Sequence, residues 1–335
     1  MKVLVTGATG YVGFYVIKEL LEAGHHVVGL ARSIGGSKTA SGISLGLHSS
    51  ATYLVGDVAT GSGVFEAMTG VDAVIHLVGI IAEKGLQTFE KVHIEGTRTV
   101  LEAAKRAGIK RFVQMSALGA GPTAVSGYSS SKFRAEELVR SSGLAWTIMR
   151  PSLIFGHGDD FFGRVLKNLV SQAPIVPQIG DGSFPFRPIW AGDVARAFAQ
   201  SLEKSATVSQ TFDLVGPKEF SFKELLDLEM NALGFKKPKV PVPVPIMDIM
   251  VPLMNLVPAI APITKDQYAM LKAGNSADPA PMKAMFNLEM REIERELPVI
   301  LGKNAGPSTT ARAFTFLFFD FSLVLCDKIP RATGV

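Results

Sequence analysis

The sequence predicts an α/β protein with a doubly wound parallel sheet, and three observations carry that prediction. Short, continuously apolar segments recur through the first half. Amphipathic segments of helical length separate them. The first apolar segment runs straight into a glycine-rich turn. Strands that read as unbroken apolar runs are buried on both faces, which is what helices on either side of a parallel sheet provide. Right-handed crossovers then wind the sheet in both directions from its centre.

Taken in order, "KVLVT" (2–6) reads as the first strand and residues 11–23 as the first helix. "HHVVGLA" (25–31) is the second strand, and a Gly/Ser-rich loop spans 33–50. "TYLVGD" (52–57) and "DAVIHLVGI" (72–80) are strands three and four, and a long helix is expected from Leu86 to Ala107. "RFVQMSA" (111–117) is strand five. The segment at Tyr128 opens a helix, and "AWTIMRP" (145–151) is strand six. The second half is less regular. Ser221 with Glu224, and Thr264 with Gln267, have the spacing of capping boxes at helix starts, and Asp193 in "WAGDVARAF" reads as an N-cap. Between the two boxes "PVPVPIMDIMVPLMNLVPAIAPI" (241–263) is apolar and punctuated by proline; it reads first as a buried lid helix, with the lining of an apolar substrate pocket or a seat at a membrane surface as the alternatives. The expected division is 1–155 for the sheet domain, 156–301 for a smaller, irregular C-terminal substrate region interleaved with the sheet, and 302–335 for an apolar tail.

Composition narrows the function. Of 335 residues 47% are hydrophobic and 19% charged, which suits a globular chain rather than a disordered one. A net charge of +4, with no dense Lys/Arg block, argues against nucleic acid as a partner. The single cysteine, Cys326, excludes an intrachain disulfide and a Cys-based zinc site, and the scattered histidines suggest no metal. No stretch reaches the ~20 apolar residues of a spanning helix, and the N-terminus lacks the apolar core of a signal peptide. The expected location is therefore cytoplasmic, with the inner face of a membrane as the alternative and peripheral contact left open.

"VTGATGYVG" places Gly7, Gly10 and Gly13 between a strand and a helix. Glycine permits a tight turn and close approach of backbone to a pyrophosphate, and the helix N-terminus offers unpaired N–H groups. The loop residues Gly7, Thr9, Gly10, Tyr11, Val12 and Gly13 are thus the expected dinucleotide cradle of an NAD(P)-binding Rossmann fold. An acidic residue after strand two would bind free ribose hydroxyls; here stands Arg32, with Lys38 further along the loop. A guanidinium suits a 2′-phosphate, so NADP(H) is preferred and NAD(H) is the alternative. Asp57 and Val58, ending strand three, are expected at the adenine edge. Leu77, Val78 and Gly79 end strand four beside the same cofactor. Pro151, Ser152 and Ile154 would pass near the nicotinamide.

Several longer segments carry a resemblance: "TGATGYVG" (6–13), "VIHLVGI" (74–80), "HIEGTRTVLEAAKRAGIKRFVQMSALGA" (93–120), "YSSSKFRAEELVRSSGLAWTIMRPSLIFGHGDDFF" (128–162) and "FRPIWAGDVARAF" (186–198). They resemble the extended and atypical short-chain dehydrogenase/reductases. Within these, the chain is similar to the NAD(P)H-binding accessory subunit of respiratory complex I and its bacterial relatives. The resemblance fades near Leu301. It implies a catalytic set of Ser116, Tyr128 and Lys132, in which Tyr128 exchanges the proton, Ser116 holds the substrate oxygen, and Lys132 binds the ribose and favours the phenolate. Tyr128 and Lys132 are four apart, on one face of a helix. Extended enzymes often carry an asparagine on the helix after strand four; the corresponding region here has His93, which leaves the usual proton relay in question.

Three functions follow as expectations. The first is an NADPH-dependent oxidoreductase acting on a carbonyl- or quinone-like small molecule, an apolar one included. The second is a non-catalytic NADPH-binding accessory or sensor of a respiratory or quinone-related assembly. The third is a sugar-nucleotide epimerase or dehydratase, with Arg164, Lys167 and Arg187 as a diphosphate clamp.

Overall fold

A computed structural model describes residues 1–35, 39, 41–256 and 263–302. The expected tail from 303 onward, Cys326, Lys38 and the end of the apolar stretch at 257–262 lie outside the described residues.

The first half forms β1 (Lys2–Thr6), α1 (Tyr11–Glu22), β2 (His26–Ala31), β3 (Thr52–Val55), β4 (Ala73–His76), α2 (Gly96–Arg106), β5 (Arg111–Met115), α3 (Gly127–Arg140) and β6 (Ala145–Pro151). The strands that expose neither face are the apolar ones: all four residues of β4, from Ala73 to His76, are buried. The second half adds β7 (Ile154–Phe155), α4 (Lys167–Ser171), β8 (Val176–Ile179), β9 (Pro185–Phe186), β10 (Ile189–Trp190), α5 (Ala191–Glu203) and β11 (Gln210–Leu214). It continues with β12 (Phe220–Ser221), α6 (Phe222–Leu233), β13 (Lys239–Val242), α7 (Val244–Met254), α8 (Lys265–Ala273), α9 (Ala280–Met285) and α10 (Ile293–Leu301).

Seven strands make one parallel sheet in the order β3-β2-β1-β4-β5-β6-β11. The direction of winding reverses between β1 and β4, and this switch point is where open α/β sheets bind ligands, at the carboxyl ends of their strands. One apolar layer lies between the sheet and helices α1 and α5, around Val5, Ile17, Ile75, Val113 and Phe198. The other lies under α2 and α3, around Leu4, Val74, Val100, Phe112 and Val139. A third cluster, around Phe162, Phe222, Leu226 and Leu297, belongs to the second half alone.

The structure departs from expectation at four places. The helix expected from Leu86 begins with a wide turn at Glu90–Glu95 and continues as α2; Leu86 lies in the preceding loop, exposed. The seventh strand, β11, pairs in parallel with β6 from Gln210↔Thr147 to Leu214↔Pro151. Asp193, which reads as an N-cap, sits inside the first turn of α5 instead. Its carboxylate accepts the N–H groups of Glu289 at 2.7 Å and Arg291 at 3.3 Å, tying the chain near its end to α5. Finally α7 is not a buried lid: among its residues only Val251 is buried. Both capping boxes form, Ser221 with Glu224 and Thr264 with Gln267.

Candidate functional site

The glycine loop bends as its sequence requires. Gly7 has φ +74°, a conformation that side chains disfavour. The N–H groups of Gly7 and Ala8 both reach the carbonyl of Leu30, joining β1 to the end of β2. A Cβ on Gly13 would lie 2.4 Å from the Gly7 oxygen, so no other residue fits there without moving the turn. Gly10 caps α1 with no side chain, which leaves the first-turn N–H groups facing outward for an anion. Thr9 and Val12 complete the loop, Val12 packing on the core beneath it. Tyr11 points elsewhere: its hydroxyl is buried without a partner, and a Cβ on Gly156 would lie 2.8 Å from it. Burial raises its pKa well above the usual value. Tyr11 thus joins the loop to the C-terminal region rather than to the crevice.

Arg32 follows β2 on the surface, with no ion-pair partner among the described residues. Asp57 Oδ1 accepts the Ala59 N–H at 2.9 Å and so shapes the turn after β3. Val58 is buried against Gly96. Leu77, Val78 and Gly79 leave β4 beside the glycine loop; a Cβ on Gly7 would stand 3.3 Å from Val78 N.

Gly79 brings the two halves of the site together. A Cβ there would lie 2.8 Å from Lys132 Nζ and 3.4 Å from His93 Nε2. Helix α3 delivers Lys132. Its N-cap is Ser126, whose hydroxyl accepts the Ser129 N–H at 3.1 Å, and Gly127 N–H donates to Asp266 Oδ1 at 2.6 Å. Lys132 is 4% exposed, and its ammonium donates to the Met115 carbonyl at 3.3 Å. Burial lowers its pKa to about 8, against a smaller opposing pull from Glu136. An ammonium has three donors, and among the described residues only one is met. Next to Met115, Ser116 holds its Oγ buried and without a partner, while its N–H donates to Met149 O at 2.7 Å. Tyr128 lies edge-on to His93 and Phe89, with centroids 5.7 and 6.0 Å away.

Two features differ from the expectation for this set. Burial pushes Tyr128 up to about 12, and no lowering by Lys132 accompanies it; the phenol keeps its proton. His93 is also committed. Its Nε2 accepts the Ile80 N–H at 3.0 Å, so the proton lies on Nδ1, which donates to Ser131 Oγ at 2.8 Å. Ser131 in turn donates to the Tyr128 carbonyl at 2.7 Å. Burial, with Lys132 adding to it, depresses His93 to about 2. The neutral imidazole is a brace between β4 and α3, not a mobile proton carrier.

Pro151 ends β6, and its carbonyl accepts the Leu118 N–H at 2.9 Å. Ser152 spends its hydroxyl on the Arg187 carbonyl at 2.6 Å, and Ile154 stands in β7. The loop "HGDD" is structural: Asp159 Oδ1 accepts the N–H groups of Phe162 and Gly163, and Asp160 pairs with Arg164.

Sequence reasoning missed Thr6, His76, Thr97 and Gln114. Thr6 Oγ1 lies 2.6 Å from His76 Nδ1 at the ends of β1 and β4. His76 Nε2, Thr97 Oγ1 and Gln114 Oε1 are buried without partners. A polar residue at the end of an apolar strand was the available signal, as Thr6 and His76 both are. Buried orphan atoms and spare ammonium donors lie near the switch point, where a doubly wound sheet offers its crevice to a ligand.

Residues 7–160 match a family described as NAD(P)H-binding. The chain is 29% identical over 258 residues to the mitochondrial NADH-ubiquinone oxidoreductase 40 kDa subunit of Neurospora crassa, covering 75% of this chain and 65% of that one. It is 30% identical over 182 residues to a ceramide reductase of Caulobacter vibrioides, covering 54% of this chain and 55% of that one. The matched regions span less than two thirds of either relative. Among solved structures, UDP-glucuronic acid 4-epimerase from Bacillus cereus, in complex with UDP-glucuronic acid and NAD, shares the fold with a TM-score of 0.71. It is 19% identical and covers 90% of this chain and 99% of that one. The chain therefore carries an NAD(P)H-binding region over residues 7–160 on a Rossmann-like fold, with complex I subunits among its relatives.

Proposed function

We propose that this chain is an NADPH-dependent oxidoreductase that acts on an apolar carbonyl- or quinone-like substrate. The observation that carries the reading is Lys132, buried beside Gly79 with donors to spare, next to the orphan hydroxyl of Ser116 and one helical turn from Tyr128. Bound NADPH would supply hydride. Gly7, Thr9, Gly10, Val12 and Gly13 would hold its pyrophosphate, Arg32 its 2′-phosphate, and Lys132 the nicotinamide ribose, with Asp57, Val58, Leu77, Val78, Pro151, Ser152 and Ile154 lining the crevice. Ser116 would donate to the substrate oxygen. Tyr128, protonated at physiological pH, would give its proton to that oxygen. An apolar substrate is favoured because Ile81, Leu86 and Val125, in the loops preceding the wide turn and α3, are exposed. Sugar-nucleotide chemistry is disfavoured: Arg164 is paired with Asp160, and Arg187 with Glu219 and the Pro217 carbonyl.

A second reading has its own observation. The locked His93 brace and the engaged Ser152 suit a site that holds its nucleotide without turning over, as in an accessory subunit of a respiratory assembly at a membrane face. The relatives among complex I subunits favour it too.

One experiment separates them: the dissociation rate of NADPH and of NADH from the purified chain. Rapid exchange with at least tenfold preference for NADPH, lost in Arg32→Ala, is expected for the reductase. Nucleotide that survives purification and barely exchanges supports the accessory role. Tyr128→Phe should then cut reduction of a short quinone or aldehyde by about 100-fold or more while NADPH affinity persists. Unchanged turnover removes Tyr128 from the chemistry.

A further inference from the structure

Helix α7 has no polar face, and it lies at the surface. Its inner side, with Met247 and Val251, packs against Tyr268, Leu271 and Ile263. Its one acid, Asp248, is taken up by Tyr268 Oη at 2.9 Å and Lys272 at 2.6 Å. On the other side Ile246, Ile249 and Leu253, and Leu256 just beyond the helix, are 48, 66, 59 and 75% exposed. Their spacing of three, four and three residues puts them on one stripe. Pro245, Pro252 and Met250 fall on the same arc by helical angle, so no charge interrupts it. Exposed Val240, Pro241 and Pro243 prolong the patch toward β13. No other helix among the described residues carries as many large exposed apolar residues. A contiguous stripe of this kind marks a contact surface.

Charge around the patch indicates what it contacts. Two acids nearby are paired, Asp248 with Lys272 and Asp227 with Lys239, while Asp181 and Glu224 bond to Ser183 and Ser221. Asp266 is spent on the Gly127 N–H. Three lysines on the flanking segments, Lys223, Lys236 and Lys265, are exposed and have no ion-pair partner among the described residues. Lys223 belongs to α6 beside Gly182, Lys236 precedes β13, and Lys265 begins α8. A convex apolar helix with unpaired ammonium groups around it fits the interface of an anionic bilayer, where apolar residues enter the acyl boundary and lysines meet the headgroups. No helix among the described residues is long and apolar enough to cross a membrane, so the contact is in the plane of the surface.

We propose that α7, through Ile246, Ile249, Leu253 and Leu256, docks this chain on an anionic lipid surface. The docking also bears on the site. Helix α8, packed on α7, holds the first turn of α3 through Asp266 and Gly127, one residue from Tyr128. The face that meets lipid is therefore coupled to the segment that carries the hydroxyl. Only this last link rests on the proposed reductase; the docking does not.

The test is flotation of the full chain with vesicles of phosphatidylcholine alone and with about one third phosphatidylglycerol, at low and high salt. Binding to the anionic vesicles, weakened by salt, is expected. Ile249→Glu with Leu253→Glu should reduce it about tenfold or more, with NADPH affinity unchanged. Lys236→Ala should cost roughly fivefold on anionic vesicles and nothing on neutral ones, since one lysine near such a surface is worth about 1 kcal/mol. A wild-type chain that stays with the soluble fraction overturns the proposal. So does a chain whose dimer, rather than its vesicle binding, the glutamates abolish: the patch is then a subunit or partner contact. Should the double variant fold poorly, Leu256→Trp gives an independent reading. Its emission should shift to the blue on anionic vesicles, and no shift would count against docking. NADPH affinity, followed in parallel, reports on the reductase reading separately.

Discussion

The two halves of the molecule hold themselves together differently. In the sheet half, charged side chains tie the elements together from within, away from the orphan polar atoms of the crevice. Glu136 is fully buried and receives Arg150 at 2.7 and 2.6 Å and Arg140 at 2.8 Å, which locks α3 onto β6. Arg111 donates to the Ala145 and Ser201 carbonyls and to the hydroxyls of Thr147 and Thr207, joining β5, β6 and the end of α5. In the second half, the strands outside the main sheet are two to four residues long, and α6 and α8 start with capping boxes. The first design gives a rigid platform for the cofactor. The second leaves α7, an apolar helix, largely at the surface.

The largest expected effect breaks the platform. Glu136→Ala leaves two guanidinium groups without their buried carboxylate and should cost about 3 kcal/mol or more, read from denaturant unfolding. If the loss is below ~1 kcal/mol, the clamp is not what fixes α3. The next effect comes from pH. His93 and His76 are held down to about 2 and about 3 by burial, so both stay neutral in the folded chain. The unfolded chain protonates them below pH ~6.5, and the folded chain does not. Stability is therefore present above that pH and falls as pH drops toward 3, by at most ~1.4 kcal/mol per unit for each imidazole. His93→Gln should flatten the acid slope measured by thermal melts. The smallest effect is Ser221→Ala, which removes one capping box and should cost about 1 kcal/mol. Hydrogen exchange should place that loss in α6 and its neighbours and leave β1 to β6 protected; equal loss in the sheet would erase the distinction between the halves.

The sheet half was legible because its signals are local. Apolar runs, one glycine turn and a Tyr–Lys spacing fix strands, loop and helix in register with little help from distant residues. The seventh strand was harder to see. "QTFDL" is short and partly polar at its start, and only pairing with β6, some sixty residues earlier, makes it part of the sheet. The locked state of His93 was also beyond the sequence, since it depends on the Ile80 N–H and Ser131 arriving on opposite sides of one ring. Asp193 misled because the residue type suits a cap, while its true partners lie about a hundred residues on. The exposure of α7 was only the second reading, for the opposite reason. A helix apolar all round reads as buried, and only the fold reveals that one side has no neighbour.

The parallel pairing of β11 with β6 has a consequence for synthesis. The chain leaves the sheet at Pro151 and returns at Gln210. While the intervening residues 152–209 are being made, β6 presents an unpaired edge of backbone donors and acceptors, the kind of edge that recruits strands from other chains. Arg111 cannot complete its bonds to Ser201 and Thr207 in that interval either. A nascent chain that pauses between these two strands is thus at its most aggregation-prone, and slowing translation after residue 151 should lower the yield of folded protein more than slowing it after residue 214.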